Sequence, residues 1–281
     1  MNVNPNIPIS FEFFPPKTEE GLAKLHQVHS ALSERNPEFF SVTYGAGGST
    51  QERTINTVLD LHAKGIPTAP HLSCIGSTED TLHALLDRYK AQGINRIVAL
   101  RGDLPSGMGG STGGDFRFAS DLVAFIRHHY GDAFHLEVAA YPEMHPQAPS
   151  FDADVRNFVH KAEQGADSAI TQYFFNPDAY FHFVGRVRAL GCNIPIVPGI
   201  MPITNYTKLA RFSDACGAEI PRWMRKQLES YGDDSDSIKA FGLDVISRLC
   251  EELLANGAPG LHFYSMNQAE PNLLLCDRLG L

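Results

Sequence analysis

ISFEFFPP, residues 9–16, is a short β-prone run that carries one carboxylate, Glu12, and stops at Pro15-Pro16. Proline cannot donate to a strand ladder, so the extended segment ends there. The next apolar positions, Leu22, Leu25, Val28 and Leu32, share one face at helical spacing, and a second β-prone run follows at Phe39–Thr43. The same alternation continues through Thr68–Ser73, Arg96–Leu100, His135–Tyr141, Ser168–Phe174, Ile194–Gly199 and Gly260–Tyr264, which makes eight runs. Gly65, Gly93, Gly165 and Gly191 each stand between a helical stretch and the next run, as helix C-caps do, and Ser77-Thr78-Glu79-Asp80 reads as a helix start. Strand and helix repeating at roughly 30 residues is the signature of parallel βαβ units. Eight such units imply an α/β fold closed into a (β/α)8 TIM barrel.

Residues 204–256 hold more than one helix between the seventh and eighth runs, with Pro221 opening one and Gly232-Asp233-Asp234 separating two. The Gly-rich stretch Gly102–Gly114 follows the fourth run, where a barrel carries its functional loops, and is read as a lid. With no Pro- or Ser-rich linker, residues 1–281 are expected to form a single domain. The net charge of −9 argues against a polyanionic partner, so no nucleic acid is expected. Five scattered cysteines without a C-x-x-C pair suit a reducing compartment. No apolar run reaches 18 residues and the first eight residues carry no leader pattern, so a cytoplasmic protein with no membrane segment is expected.

In a barrel, chemistry collects at the C-terminal ends of the strands. Thr43-Tyr44, His71, Arg101-Gly102-Asp103, Tyr141, Gln172 and Tyr264 fall there. Period-two alternation puts Ser10 and Glu12 on the face opposite Phe11 and Phe13, so Glu12 points into the barrel mouth. Glu12 has two readings: a structural acid paired with a neighbouring cation, or a proton donor whose pKa is raised by burial. Gly45-Ala46-Gly47-Gly48-Ser49-Thr50 only imitates a dinucleotide fingerprint, because Thr50 replaces the third glycine and no acidic residue follows the next strand. Twelve histidines include no H-E-x-x-H, and adjacent His128 and His129 are expected to point to different sides of a helix, so no metal is expected. Asn157 and Lys161, four apart on a helix over 151–164, lie with His145 where a phosphate or plain solvent would fit.

SFEFFPPK (10–17), SVTYGAGGS (41–49), APHLSC (69–74), IVALRGDLP (97–105), VAAYPEMHP (138–146), GADSAITQYFF (165–175), IPIVPGIMPITN (194–205) and HFYSMN (262–267) together resemble the methylenetetrahydrofolate reductases, in their bacterial form without a regulatory extension. The resemblance implies a barrel that binds FAD and passes electrons from NAD(P)H to methylenetetrahydrofolate in a ping-pong cycle, supplying methyl groups for methionine synthesis. It implies catalytic roles for Glu12, as the acid that protonates N10 of the folate, and for Asp103, near flavin and pterin. The implied FAD contacts are Tyr44, His71, Arg101, Gly102, Asp103 and Ala119 on one side. On the other they are Tyr141, His145, Ala148, Asp154, Asn157, His160 and Lys161. Thr43, Asp103, Gln172, Phe212 and Gln268 are the implied substrate contacts, and a homo-oligomer is the implied assembly. Three positions depart from the family pattern: His160 and Gln268 stand where arginines can occur, and Lys208 stands where a glutamine can. A shift of positive charge from position 268 to Lys208 is the expected compensation.

Overall fold

Alternating inner and outer side chains build a closed ring of parallel strands, seen in a computed structural model that describes residues 7–44, 48–102 and 114–281. In chain order the elements are β1 (Ile9–Phe13), α1 (Glu19–Ser33), β2 (Phe39–Val42), α2 (Gly48–His62), β3 (Thr68–Ser73), α3 (Glu79–Ala91) and β4 (Arg96–Leu100). They continue with α4 (Ala119–Tyr130), β5 (His135–Ala140), α5 (Phe151–Glu163), β6 (Ser168–Thr171), α6 (Pro177–Ala189), β7 (Ile196–Val197) and β8 (Gly199–Ile200). The last elements are α7 (Tyr206–Cys216), α8 (Arg222–Ser230), α9 (Ser235–Ala255), β9 (Leu261–Tyr264) and α10 (Glu270–Leu279). The sheet order is β7-β6-β5-β4-β3-β2-β1-β9-β8, with every pair parallel.

The run expected at Ile194–Gly199 is two strands, because Pro198 has no N–H to give and divides it. β7 pairs with β6 and β8 with β9, so the ends of the sheet meet at that proline and close the barrel. Elsewhere the strands fall within the expected runs. The glycine caps have the left-handed backbone that a C-cap demands, with φ +99 at Gly65, +77 at Gly93, +115 at Gly165 and +85 at Gly191. Three helices fill the long segment, with Pro221 before α8 and Asp234 capping α9 through the N–H groups of Asp236 and Ser237.

Two cores result from the alternation. Outside the ring, fully buried Phe11, Phe13, Phe40 and Phe263 pack under the helices, with ring centroids 5.3 Å apart for Phe11–Phe263 and 5.1 Å for Phe13–Phe40. Inside the ring a small apolar layer of Phe39, Ala69, Val98 and Ile170 is backed by Leu100. Below it, at the N-terminal end, Arg96 Nη1 bonds Glu137 Oε1 at 2.7 Å, and Ser168 Oγ donates to Glu137 Oε2 at 2.6 Å. The Arg96 guanidinium also lies over the Phe39 ring at 4.3 Å and pairs with Glu38. This floor seals one end, so the open end is the one that carries Glu12. Among the described residues no helix is long and apolar enough to cross a membrane.

Candidate active site

Register fixes the centre of the mouth. Glu12 on β1 lies opposite Ser41 on β2 and Tyr264 on β9, and Ser10 lies opposite His262. His71 on β3 and His262 on β9 point inward with it. Glu12 Oε2 is 3.3 Å from His71 Nε2 and 3.6 Å from His262 Nε2, while His262 Nδ1 is 2.7 Å from Ser10 Oγ. Both histidines are buried, and among the described residues their Nε2 atoms have no other hydrogen-bond partner. Burial pushes the Glu12 carboxyl up, but the two imidazoles outweigh it and bring it down to about 2. Of the two readings of Glu12, burial is not what dominates this carboxyl: it stands beside two imidazoles rather than in an apolar pocket.

The end of β1 is clamped to the end of β9. Ser265 Oγ donates to the Glu12 carbonyl at 2.5 Å, while Asn267 Oδ1 accepts the Phe14 N–H at 3.0 Å and Asn267 Nδ2 donates to the Phe14 carbonyl at 2.9 Å. Met266 and Asn267 adopt φ +53 and +52 to make this turn. Tyr264 reaches across to the next wall, its hydroxyl donating to the Thr171 carbonyl at 2.7 Å. The crossing needs Gly199, since a Cβ there would lie 2.2 Å from the Thr171 carbonyl oxygen and 2.6 Å from the Tyr264 ring.

On the β4–β5 side, Arg101 Nε donates to the Gly102 carbonyl at 3.1 Å, and Ser73 Oγ donates to the Arg101 carbonyl at 2.9 Å. Gly102 has φ +88 and leaves no room for a Cβ beside Ser73. The Tyr141 ring meets His145 edge-on at 4.5 Å, and buried Asp154 accepts the His145 N–H at 2.8 Å. Ala148 N–H donates to the His145 carbonyl at 2.9 Å, and Ala119 opens α4. Lys161 turns inward, Nζ donating to the Ala139 carbonyl at 2.6 Å, and burial lowers its pKa to about 8 against the pull of Asp154. Asn157 and His160 are exposed on the same helix, so the pair expected on one face is split between wall and solvent.

Half-buried Thr43 and Tyr44 follow β2, and burial pushes the Tyr44 phenol up. Gln172 follows β6, its Oε1 accepting the Tyr173 N–H at 3.0 Å. Phe212 and Lys208 are exposed on α7, and Gln268 is exposed before α10. Gln268 helps line a cavity of about 90 Å³ between α9 and α10, with Ile203, Leu243 and Leu274 among its walls. Asp103, the Gly-rich lid and Gly45–Gly47 lie outside the described residues. The His128 and His129 rings, expected to diverge, meet edge-on at 4.6 Å beside His83. Among the described residues no group of three metal-ligating side chains is arranged to hold an ion.

His262 was absent from the sequence-derived site. Its signal was there: two residues before Tyr264 on one strand, it must share Tyr264's inward face.

The family model described as Methylenetetrahydrofolate reductase matches residues 2–280. The 5,10-methylenetetrahydrofolate reductase of Escherichia coli (strain K12) is 39% identical over 280 residues, covering 99% of this chain and 93% of that protein. The protein of the same description from Buchnera aphidicola subsp. Acyrthosiphon pisum is 39% identical over 284 residues, covering 100% of this chain and 94% of that protein. Among solved structures, an uncharacterized Clostridium thermocellum protein that binds two copies of 5-methyl-5,6,7,8-tetrahydrofolic acid superposes with TM-score 0.68 at 19% identity. The superposition covers 98% of this chain and 96% of that one, a likeness of fold.

Proposed function

The chain belongs to the methylenetetrahydrofolate reductase family, whose reaction is the reduction of methylenetetrahydrofolate to methyltetrahydrofolate, and on that premise we propose a single catalytic domain that uses FAD and NAD(P)H. The residues present fit a flavin nucleotide. Lys161 is half-buried, its ammonium turned inward onto a carbonyl, an arrangement that favours an incoming anion, and the pyrophosphate is the anion the cofactor brings. His145 and Arg101 flank the same rim, and Tyr141, His71 and Tyr44 offer ring faces and hydrogen bonds for the isoalloxazine. Bound FAD supplies a two-electron store that NAD(P)H fills and the folate empties in turn.

The observation that carries this reading is Glu12 held between His71 and His262 at the open end of the barrel. Opening the imidazolidine ring of the folate requires a proton at N10, and Glu12 is the group that hands it over. With both imidazoles in polar contact with Oε2, the acid is the Glu12–His71–His262 set rather than the carboxyl alone. Ser10 fixes the orientation of His262, and the polar contact of His262 with Glu12 is a route for the carboxylate to regain a proton after transfer. A substrate that covers the mouth removes water and weakens the ionised state of Glu12, which favours the transfer. Thr43 and Gln172 orient the nicotinamide and the folate, and Phe212 stacks on whichever is bound.

Two measurements test this. The purified protein is expected to show, or to acquire on adding FAD, a flavin absorbance band; a protein that takes up no FAD refutes the cofactor. Glu12→Gln is expected to keep reduction by NAD(P)H within a few fold while folate reduction falls about 10²–10⁴-fold, as loss of a positioned acid does. An equal fall in both half-reactions, followed by stopped-flow absorbance, removes Glu12 from the role of acid.

A further inference from the structure

Helix α7 carries Phe212, yet it buries only two side chains, Leu209 and Ser213. Tyr206, Ala210 and Cys216 are partly buried against the core beside Leu209, and polar ties add to that packing in setting the helix. Ser213, 2% exposed, has its Oγ 3.0 Å from the hydroxyl of Tyr173, itself 3% exposed. Cys216 Sγ lies 3.5 Å from the same hydroxyl, one turn further along α7. Tyr173 is also tied to the mouth from its other end, because its N–H donates to Gln172 Oε1 at 3.0 Å, and its ring stands edge-on to Tyr264 at 6.2 Å. Beyond the helix, Glu143 Oε2 accepts the Glu219 N–H at 2.8 Å, a second tie to the loop that holds His145.

We propose that Tyr173 is a positioning residue that couples Gln172 to Phe212 through its hydroxyl on Ser213, so that the two substrate-facing side chains are set together and α7 is held at the working distance. The inference rests on the proposed placement of Gln172 and Phe212 against substrate. Tyr173 touches no reacting atom; it acts by fixing the helix whose exposed face does. Glu143 ties the segment that follows α7, at the Glu219 N–H.

The test compares wild type, Tyr173→Phe, Ser213→Ala and the double variant. Tyr173→Phe keeps the ring and removes one oxygen, and Ser213→Ala probes the same bond from the helix side. Each single variant is expected to raise the KM for methylenetetrahydrofolate about fivefold, the effect of one lost hydrogen bond, with the rate of flavin reduction at saturating NAD(P)H within twofold. Amide hydrogen exchange over residues 206–216 is expected to quicken, while that of α5 stays unchanged. The double variant is expected to be no worse than Tyr173→Phe alone, which already removes the contacts of the hydroxyl with both Ser213 and Cys216. Wild-type KM and wild-type exchange in both single variants, or effects that add in the double variant, overturn the coupling. If wild type reduces no folate, the proposed function fails on its own, and the exchange of 206–216 still decides whether the tie exists.

Discussion

Lys161 shows how a single side chain can be misplaced by spacing and rightly placed by chemistry. Four residues from Asn157, it was expected on a shared face, yet the ammonium passes inward to the Ala139 carbonyl. Its long apolar stem lies along the wall, 5.7 Å from ammonium to the Phe158 ring centroid, so helix geometry alone does not reveal where the charge ends. Burial holds its pKa at about 8. The charged form predominates below that value and is lost above it, so FAD binding to the flavin-free protein is expected to weaken as pH rises from about 7 to 9. Lys161→Arg, which stays charged, is expected to flatten that dependence. Titration of flavin fluorescence at several pH values checks it, and an equal slope in both proteins would count against Lys161 as the pyrophosphate cation. Glu12 was legible as an inward acid from period two alone. The direction of its shift was not, because the histidines that reverse it come from strands about 60 and 250 residues away in sequence.

At the scale of elements, the helices and strands that could be read were those with local punctuation. Thr78, whose Oγ1 caps the Thr81 N–H at 3.3 Å, and the four glycine C-caps are short-range signals, and they stand where the pattern put them. Pro198 was visible too, but that it parts one run into two strands depends on pairing with β6 on one side and β9 on the other, which is a tertiary fact. Helix α1 carries a feature no period announces: His29, 3% exposed, packs at 4.4 Å against the Phe40 ring, its Nε2 without a hydrogen-bond partner among the described residues. Burial, and then the nearby Lys64 and His26, lower its pKa to about 4 from an ordinary 6.5. The folded state holds it neutral while the unfolded chain takes up a proton below 6.5, so folding stability falls as pH drops from 6.5 toward 4. His29→Leu is expected to lessen the loss of Tm between pH 7.5 and 5; the same loss in both proteins, by calorimetry, would dismiss His29 as its source.

The whole molecule places a carboxylate cluster at each end of one barrel and treats them differently. At the mouth, Glu12 keeps a partly open face and two titratable partners. At the floor, Glu137 is 2% exposed and fully engaged by Arg96, Ser168 and His135, which together outweigh burial and lower its pKa. Such a network is costly to break from one side. Arg96→Met is expected to destabilise the protein by about 3–5 kcal/mol, since it leaves a buried acid without its main cation. Urea unfolding measures this, and a change below about 1 kcal/mol would mean that His135 and Ser168 suffice. The barrel itself was legible because its repeat is written in every strand; the sealed floor was not, because Arg96, Glu137 and Ser168 meet only through strand register.

The closure at Pro198 also bears on how the ring is fastened. β7 and β8 each meet their neighbours through two residue pairs, and the two halves are joined there by the chain itself and by Thr171, which accepts the Gly199 N–H on Oγ1 at 2.9 Å and the Tyr264 hydroxyl on its carbonyl at 2.7 Å. Around the rest of the ring the strands are held by backbone ladders, whereas at this seam one threonine holds both neighbours. The wall beside Gln172 is thus stapled by side-chain bonds, as the wall that carries Glu12 is stapled to β9 by Ser265 and Asn267.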